Sequence, residues 1–140
     1  MKKVVIIDGQ GGRMGRALVE EIHKLCPGQP LLALGANTTA TAAMMKAGAA
    51  MGATGENPVL VACRDADLII GPIGIVIADA LLGEITPAMA AAVCQSGAKR
   101  VLIPVNHCDN YIVGVPEQPI GDLVTAAVQK VTDLCGGSSC

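Results

Sequence analysis

A chain of 140 residues has room for one hydrophobic core and none for a separate substrate domain, so residues 1–134 are expected to form a single domain, followed by a flexible cysteine-bearing tail at 135–140. Half of the residues (51%) are hydrophobic, yet Phe and Trp are absent and Tyr111 is the only aromatic, so the core must come from Val, Ile, Leu, Ala and Met, the palette of a parallel sheet buried on both faces. A formal charge of −2 without an aromatic stacking platform argues against a nucleic-acid partner, and no apolar stretch reaches the roughly 18 to 20 residues of a membrane helix or the length of a secretory signal, which predicts a cytoplasmic protein with no membrane partner.

Lys3 to Asp8 is a short, continuously apolar, β-branched run that leads straight into glycines, as a buried first strand does. The period then changes to that of a helix, with Met14, Leu18, Ile22 and Leu25 on one face, stopped by Pro27 and Gly28. The plan repeats with a strand at Leu31 to Leu34, a turn at Gly35, Ala36 and Asn37, and a helix ending near Gly48, for which Asn37, Thr38 and Thr39 all qualify as N-caps. Met51 to Thr54 reads as a third strand, Asn57 and Pro58 as the cap and first-turn proline of a helix reaching Asp65, and Asp67 to Gly71 as a fourth strand.

After Gly71, Pro72, Ile73 and Gly74, the pattern predicts a helical stretch to about Leu82 and a corner at Gly83 and Glu84. Thr86 and Pro87 open a helix to about Ser96, Val101 to Val105 is a fifth strand, and a polar loop leads to a short strand at Tyr111 to Val115. The closing helix keeps Ile120, Leu123, Val124, Ala127, Val128, Val131 and Leu134 on one face. Strands alternating with helices over such short connections predict an α/β fold: a doubly wound, mostly parallel sheet of five or six strands in a Rossmann-like three-layer sandwich, with strand order 3-2-1-4-5. Its ligand crevice would open at the carboxyl ends of the first and fourth strands, where two glycine turns meet.

With only 16% charged residues and 17 glycines, few polar side chains remain to coat a monomer, which predicts a homo-oligomer. The six cysteines show no metal-like spacing, so no metal site is expected; most read as small core residues, with Cys135 and Cys140 able to join on oxidation.

The chemistry sits in Gly9, Gln10, Gly11, Gly12, Arg13, Met14 and Gly15, a Gly-x-x-Gly-x-x-Gly variant of the dinucleotide fingerprint in its proper place between strand and helix. Gly9 permits the sharp turn, Gly11 or Gly12 lets backbone approach a phosphate, and Gly15 lets the helix lie close on the strand. The helix start offers unpaired N–H groups and a positive dipole end to an anion. The alternative is a tight turn required only for packing.

Gly11, Gly12, Arg13, Met14, Gly15 and Arg16 resemble the cofactor loop of dihydrodipicolinate reductase, which implies an NAD(P)-type ligand with Arg13 near its adenosine end. That resemblance covers about the first 20 residues, and the His-His pair and Lys-x-x-x-Pro-Ser-Gly-Thr-like substrate segment of that enzyme are missing, so its activity is not carried over. Over nearly its full length the chain resembles a bacterial family of small Rossmann-like proteins of unknown function, on the segments 7–12, 52–57, 71–74 and 83–87.

Two features depart from an ordinary dehydrogenase. An NAD site places Asp or Glu about 20 residues past the glycines to grip the ribose hydroxyls, yet no acidic residue occurs between Glu21 and Glu56. Asn37 and Thr38 stand there instead, either bonding a ribose or 2′-phosphate, with Arg13 or Lys46 supplying charge, or capping the helix. The second is Asp8, a carboxylate at the mouth of an anion site. Like charges some 6 to 8 Å apart repel by roughly 2 to 3 kcal/mol at an effective dielectric near 20, so Asp8 must be held by loop N–H groups, be neutralised by Arg13, or bind a metal ion; a brace for the glycine turn is the plainest role.

The remaining candidates are Gly71, Pro72, Gly74 and Asn106 as ligand contacts and, for catalysis, Asp8 and His107, with Cys108 a further possible nucleophile. The sequence therefore supports a nucleotide-binding module of NAD(P) type. It leaves open a non-enzymatic sensor of small anions or metabolites, an oligomeric interaction subunit, and an oxidoreductase whose site is completed by another subunit.

Overall fold

The computed structural model describes residues 1–105 and 109–136. Five strands, β1 (Val4–Asp8), β2 (Leu31–Gly35), β3 (Met51–Thr54), β4 (Leu68–Pro72) and β5 (Lys99–Ile103), alternate with helices α1 (Arg13–Leu25), α2 (Thr38–Ala47), α3 (Glu56–Ala62), α4 (Pro87–Gln95) and α5 (Ile120–Leu134). The sheet is parallel throughout, in the order β3-β2-β1-β4-β5, with Ile6 paired to Ala33 on one side and Ile70 on the other. This is the expected α/β architecture and strand order.

Alternation along the strands divides the core into two layers. Val4 and Ile6 of β1 face one cluster with Leu18 and Ile22 of α1, Met44 of α2, and Val128 and Val131 of α5. Val5 and Ile7 face the other, with Val59 of α3 and Met89 and Val93 of α4. Helices α1 and α2 thus cover one face and α3 and α4 the other. The chain changes face between β3 and β4, which opens the crevice between the carboxyl ends of β1 and β4.

Several boundaries differ from the sequence expectation. α3 starts at Glu56 rather than being capped by Asn57, because Gly55 (φ 100°) caps it two residues earlier, and it ends at Ala62 rather than Asp65. β5 is shifted two residues toward the N-terminus, and Pro104, which has no N–H to donate, follows its end. On α1, Leu25 is 53% exposed and the fully buried Cys26 takes its place in the core. Cys63 is also buried, with its thiol pKa raised chiefly by that burial, whereas Cys94 is exposed. The Cys135–Cys140 pairing lies outside the described residues.

The stretch after β4 is not a helix. One 3₁₀ turn (Ile73–Val76) gives way to a closed loop in which Asp79, Leu81 and Leu82 all hold the left-handed conformation (φ 65°, 56° and 57°). Asp79 N–H donates to the Ile85 carbonyl (2.7 Å) and Ile85 N–H to the Ala80 carbonyl (3.1 Å). This path buries Leu81 in the core and returns Glu84 toward the glycine turn, which a continuous helix would not do. Nor does Tyr111 to Val115 form a strand: Gly114 (φ 84°) breaks the extended run, and Val113 is 97% exposed. Among the described residues no helix is long and apolar enough to cross a membrane.

Candidate functional site

β1 delivers Asp8 to the head of the crevice, 5% exposed. Its Oδ1 accepts from the Gly9 N–H (2.8 Å) and its Oδ2 from the Gly15 N–H (2.7 Å), so one carboxylate ties the end of the strand to the third residue of α1. The pKa of Asp8 is raised, above all by desolvation; the Gly15 and Gly9 amides pull it back down, and the nearby Glu84 charge adds to the rise. Of the ways to tolerate a carboxylate here, the structure uses loop amides. Arg13 is exposed and makes no ion pair among the described residues.

The glycines are explained by what surrounds them. A Cβ on Gly9 would stand 2.7 Å from Glu84 Oε1 and 2.9 Å from Leu81 Cδ1. Gly12 caps α1 in the left-handed region (φ 72°), and a Cβ there would stand 2.8 Å from the Ala40 Cα. A Cβ on Gly15 would meet Met44 Sδ at 2.5 Å and Asp8 Cβ at 3.0 Å, so α1 lies close on both β1 and α2. Gln10 is left-handed too (φ 49°) although it has a side chain.

The amides of this turn fall into two groups. Gly9 and Gly15 donate to Asp8, Gln10 to Glu84 Oε1 (2.6 Å), and Gly12 to the Gly9 carbonyl (2.9 Å). Those of Gly11, Arg13 and Met14 meet no acceptor among the described residues. Arg13 and Met14 are the first two residues of α1, where the N–H groups have no intrahelical partner and the dipole is positive.

Asn37 closes the side of the crevice. Its Oδ1 caps α2 by accepting from Ala40 N–H (2.8 Å), while its Nδ2 donates to Glu84 Oε2 (2.6 Å) and to the Gln10 carbonyl (3.0 Å). Asn37→Ala is expected to cost about 1 to 2 kcal/mol, from the lost cap and the freed Glu84. Asn37→Asp keeps the cap but sets two carboxylates against each other; urea-denaturation midpoints of both variants check this.

The other sequence candidates are placed as follows. Thr38 is exposed at the first position of α2. Lys46 is in the last turn of that helix, about 12 Å along the axis from Thr38, so it does not share the Asn37 end. Gly71, Pro72 and Gly74 are buried behind the crevice: a Cβ on Gly71 would meet the Ile7 carbonyl oxygen at 2.3 Å, and one on Gly74 would touch Ala80 and Leu81. Asn106, His107 and Cys108 lie outside the described residues. Sequence reasoning missed Glu84, read there as part of a corner. A cavity of about 320 Å³ lined by Met1, Lys3, Leu31 and Met51 opens at the opposite, amino ends of β1 and β2, away from the end where doubly wound sheets bind ligands.

A family model described as Domain of unknown function (DUF3842) matches residues 3–136. No curated protein matches the sequence. Among solved structures, a dodecameric FMN-dependent Ubix-like decarboxylase from Escherichia coli O157:H7 is similar at 18% identity over 97% of this chain and 94% of that one, with a TM-score of 0.47.

Proposed function

The chain belongs to the DUF3842 family, which brings no activity with it, and from the geometry of the crevice we propose that it binds a nucleotide of NAD(P) type, with a phosphate seated on the amides of Gly11, Arg13 and Met14. What carries this reading is the division of the turn into braced and unpaired amides. Asp8 and Glu84 hold the loop open in one shape, and the N–H groups left over are those of the loop tip and the first two positions of α1, where an anion gains most from the helix dipole. Arg13, exposed and without an ion pair among the described residues, supplies the local positive charge.

The reading makes the protein a binding module first. Asp8 has both carboxylate oxygens engaged by backbone, a positioning role in the turn. Calorimetric titration with NADH, NADPH, ADP and FMN tests the proposal. At least one is expected to bind with a dissociation constant below about 0.1 mM, equivalent to roughly 5.5 kcal/mol; millimolar or undetectable binding of all four removes it.

A further inference from the structure

A dinucleotide site in a doubly wound sheet takes the ribose hydroxyls on an acidic side chain at the end of the second strand. Here β2 runs out into Gly35, Ala36 and Asn37, and no acidic residue lies between Glu21 and Glu56. The fold fills that place from the far side of the sequence. Glu84, carried back by the left-handed loop after β4, accepts from Gln10 N–H through Oε1 and from Asn37 Nδ2 through Oε2, both at 2.6 Å. A Cβ on Gly9 would lie 2.7 Å from Glu84 Oε1 and 3.4 Å from Ala36 Cβ, so the carboxylate stands between the glycine turn and the residues that follow β2.

Two properties suit this carboxylate to a diol. It is only partly buried, and each oxygen uses one of its lone pairs on the protein, leaving the other to accept from a hydroxyl. Its two protein donors also fix its orientation, so a ligand meets a preset acceptor pair rather than a mobile chain.

We propose that Glu84 is the ribose-gripping residue of the site and that the ligand therefore carries a free 2′,3′-diol and not a 2′-phosphate. The inference rests on the nucleotide reading above and narrows it, since a fixed carboxylate accepts hydroxyl donors but repels a phosphate dianion.

NADH and NADPH differ only by the 2′-phosphate, so titrating both into the full chain, its Glu84→Gln variant and its Glu84→Lys variant isolates the effect, with folding of each variant checked by circular dichroism and thermal melting. Wild type is expected to bind NADH at least about tenfold more tightly than NADPH. Glu84→Gln should weaken NADH by about tenfold and, with the repelling charge gone, tighten NADPH, so that the preference for NADH is lost, and Glu84→Lys should invert it. Equal binding of the two cofactors by wild type, or NADH affinity unchanged in Glu84→Gln, overturns the assignment of Glu84 while the nucleotide reading stands. Binding of neither cofactor to wild type overturns this inference, and the nucleotide reading falls as well when ADP and FMN also fail to bind.

Discussion

Gly71→Ala is expected to be among the most destabilising single-methyl additions in the molecule, at about 3 kcal/mol or more, which for a chain of this size is on the order of 10 °C in Tm. The new Cβ would sit 2.3 Å from the carbonyl oxygen of Ile7 and 3.0 Å from Ile75 Cδ1. The first of these is backbone, in a central strand paired on both sides by β2 and β4, so it has no rotamer by which to yield. Relief requires β4 to separate from β1 at the point where the crevice opens. Gly97→Ala is the control: a Cβ there meets nothing within 4 Å, and its melting temperature should stay within about 2 °C of wild type. A Gly71→Ala protein that melts with the control would mean that β1 and β4 do not approach this closely.

The second large effect is expected at Asp8. Truncation to alanine orphans the buried Gly9 and Gly15 amides together and removes the side-chain hydrogen bond that joins β1 to the start of α1. At about 1 to 3 kcal/mol per buried unsatisfied donor, the loss should be about 3 kcal/mol by chemical denaturation. Asp8 also gives a pH signature. Its folded pKa is raised above the ordinary 3.8, so the fold holds the proton more tightly than the unfolded chain does. The stability this contributes is complete below pH 3.8 and is lost as pH rises through the raised value. Asp8→Asn cannot titrate, so its Tm deficit relative to wild type should narrow as pH rises from acid toward neutral; a constant deficit would contradict the assignment.

Most of the architecture was legible because its signals are local. The β-branched run ending at Asp8, the alternation of strands with amphipathic helices, and the caps at Asn37 and Thr86 each specify an element through a few neighbouring residues, and the strand order follows from short connections. The failures share a different cause. The segment after Gly74 has helix-compatible composition, but burying Leu81 and returning Glu84 to the glycine turn impose left-handed conformations that no short-range pattern announces. The β-branched run at Tyr111 satisfies strand propensity yet finds no neighbour to pair with among the described residues.

For the candidate site, the glycine spacing and the awkward carboxylate of Asp8 were readable, and loop amides were among the ways foreseen for holding it. Glu84 was not readable. Its role depends on meeting Gln10 and Asn37, which are 74 and 47 residues away along the chain, and a glutamate after a glycine in a turn carries no sign of that meeting.

The claim on which the functional reading depends is that the turn at Gly9 to Gly15 keeps some amides for itself and leaves three for an anion. Amide-resolved NMR of the ¹⁵N-labelled chain during titration with ADP tests it most directly. Saturable shifts are expected at the Gly11, Arg13 and Met14 amides, with those of Gly9, Gln10 and Gly15 moving much less because Asp8 and Glu84 already occupy them. Saturable shifts centred elsewhere on the molecule, or none in this turn at millimolar ADP, would contradict it.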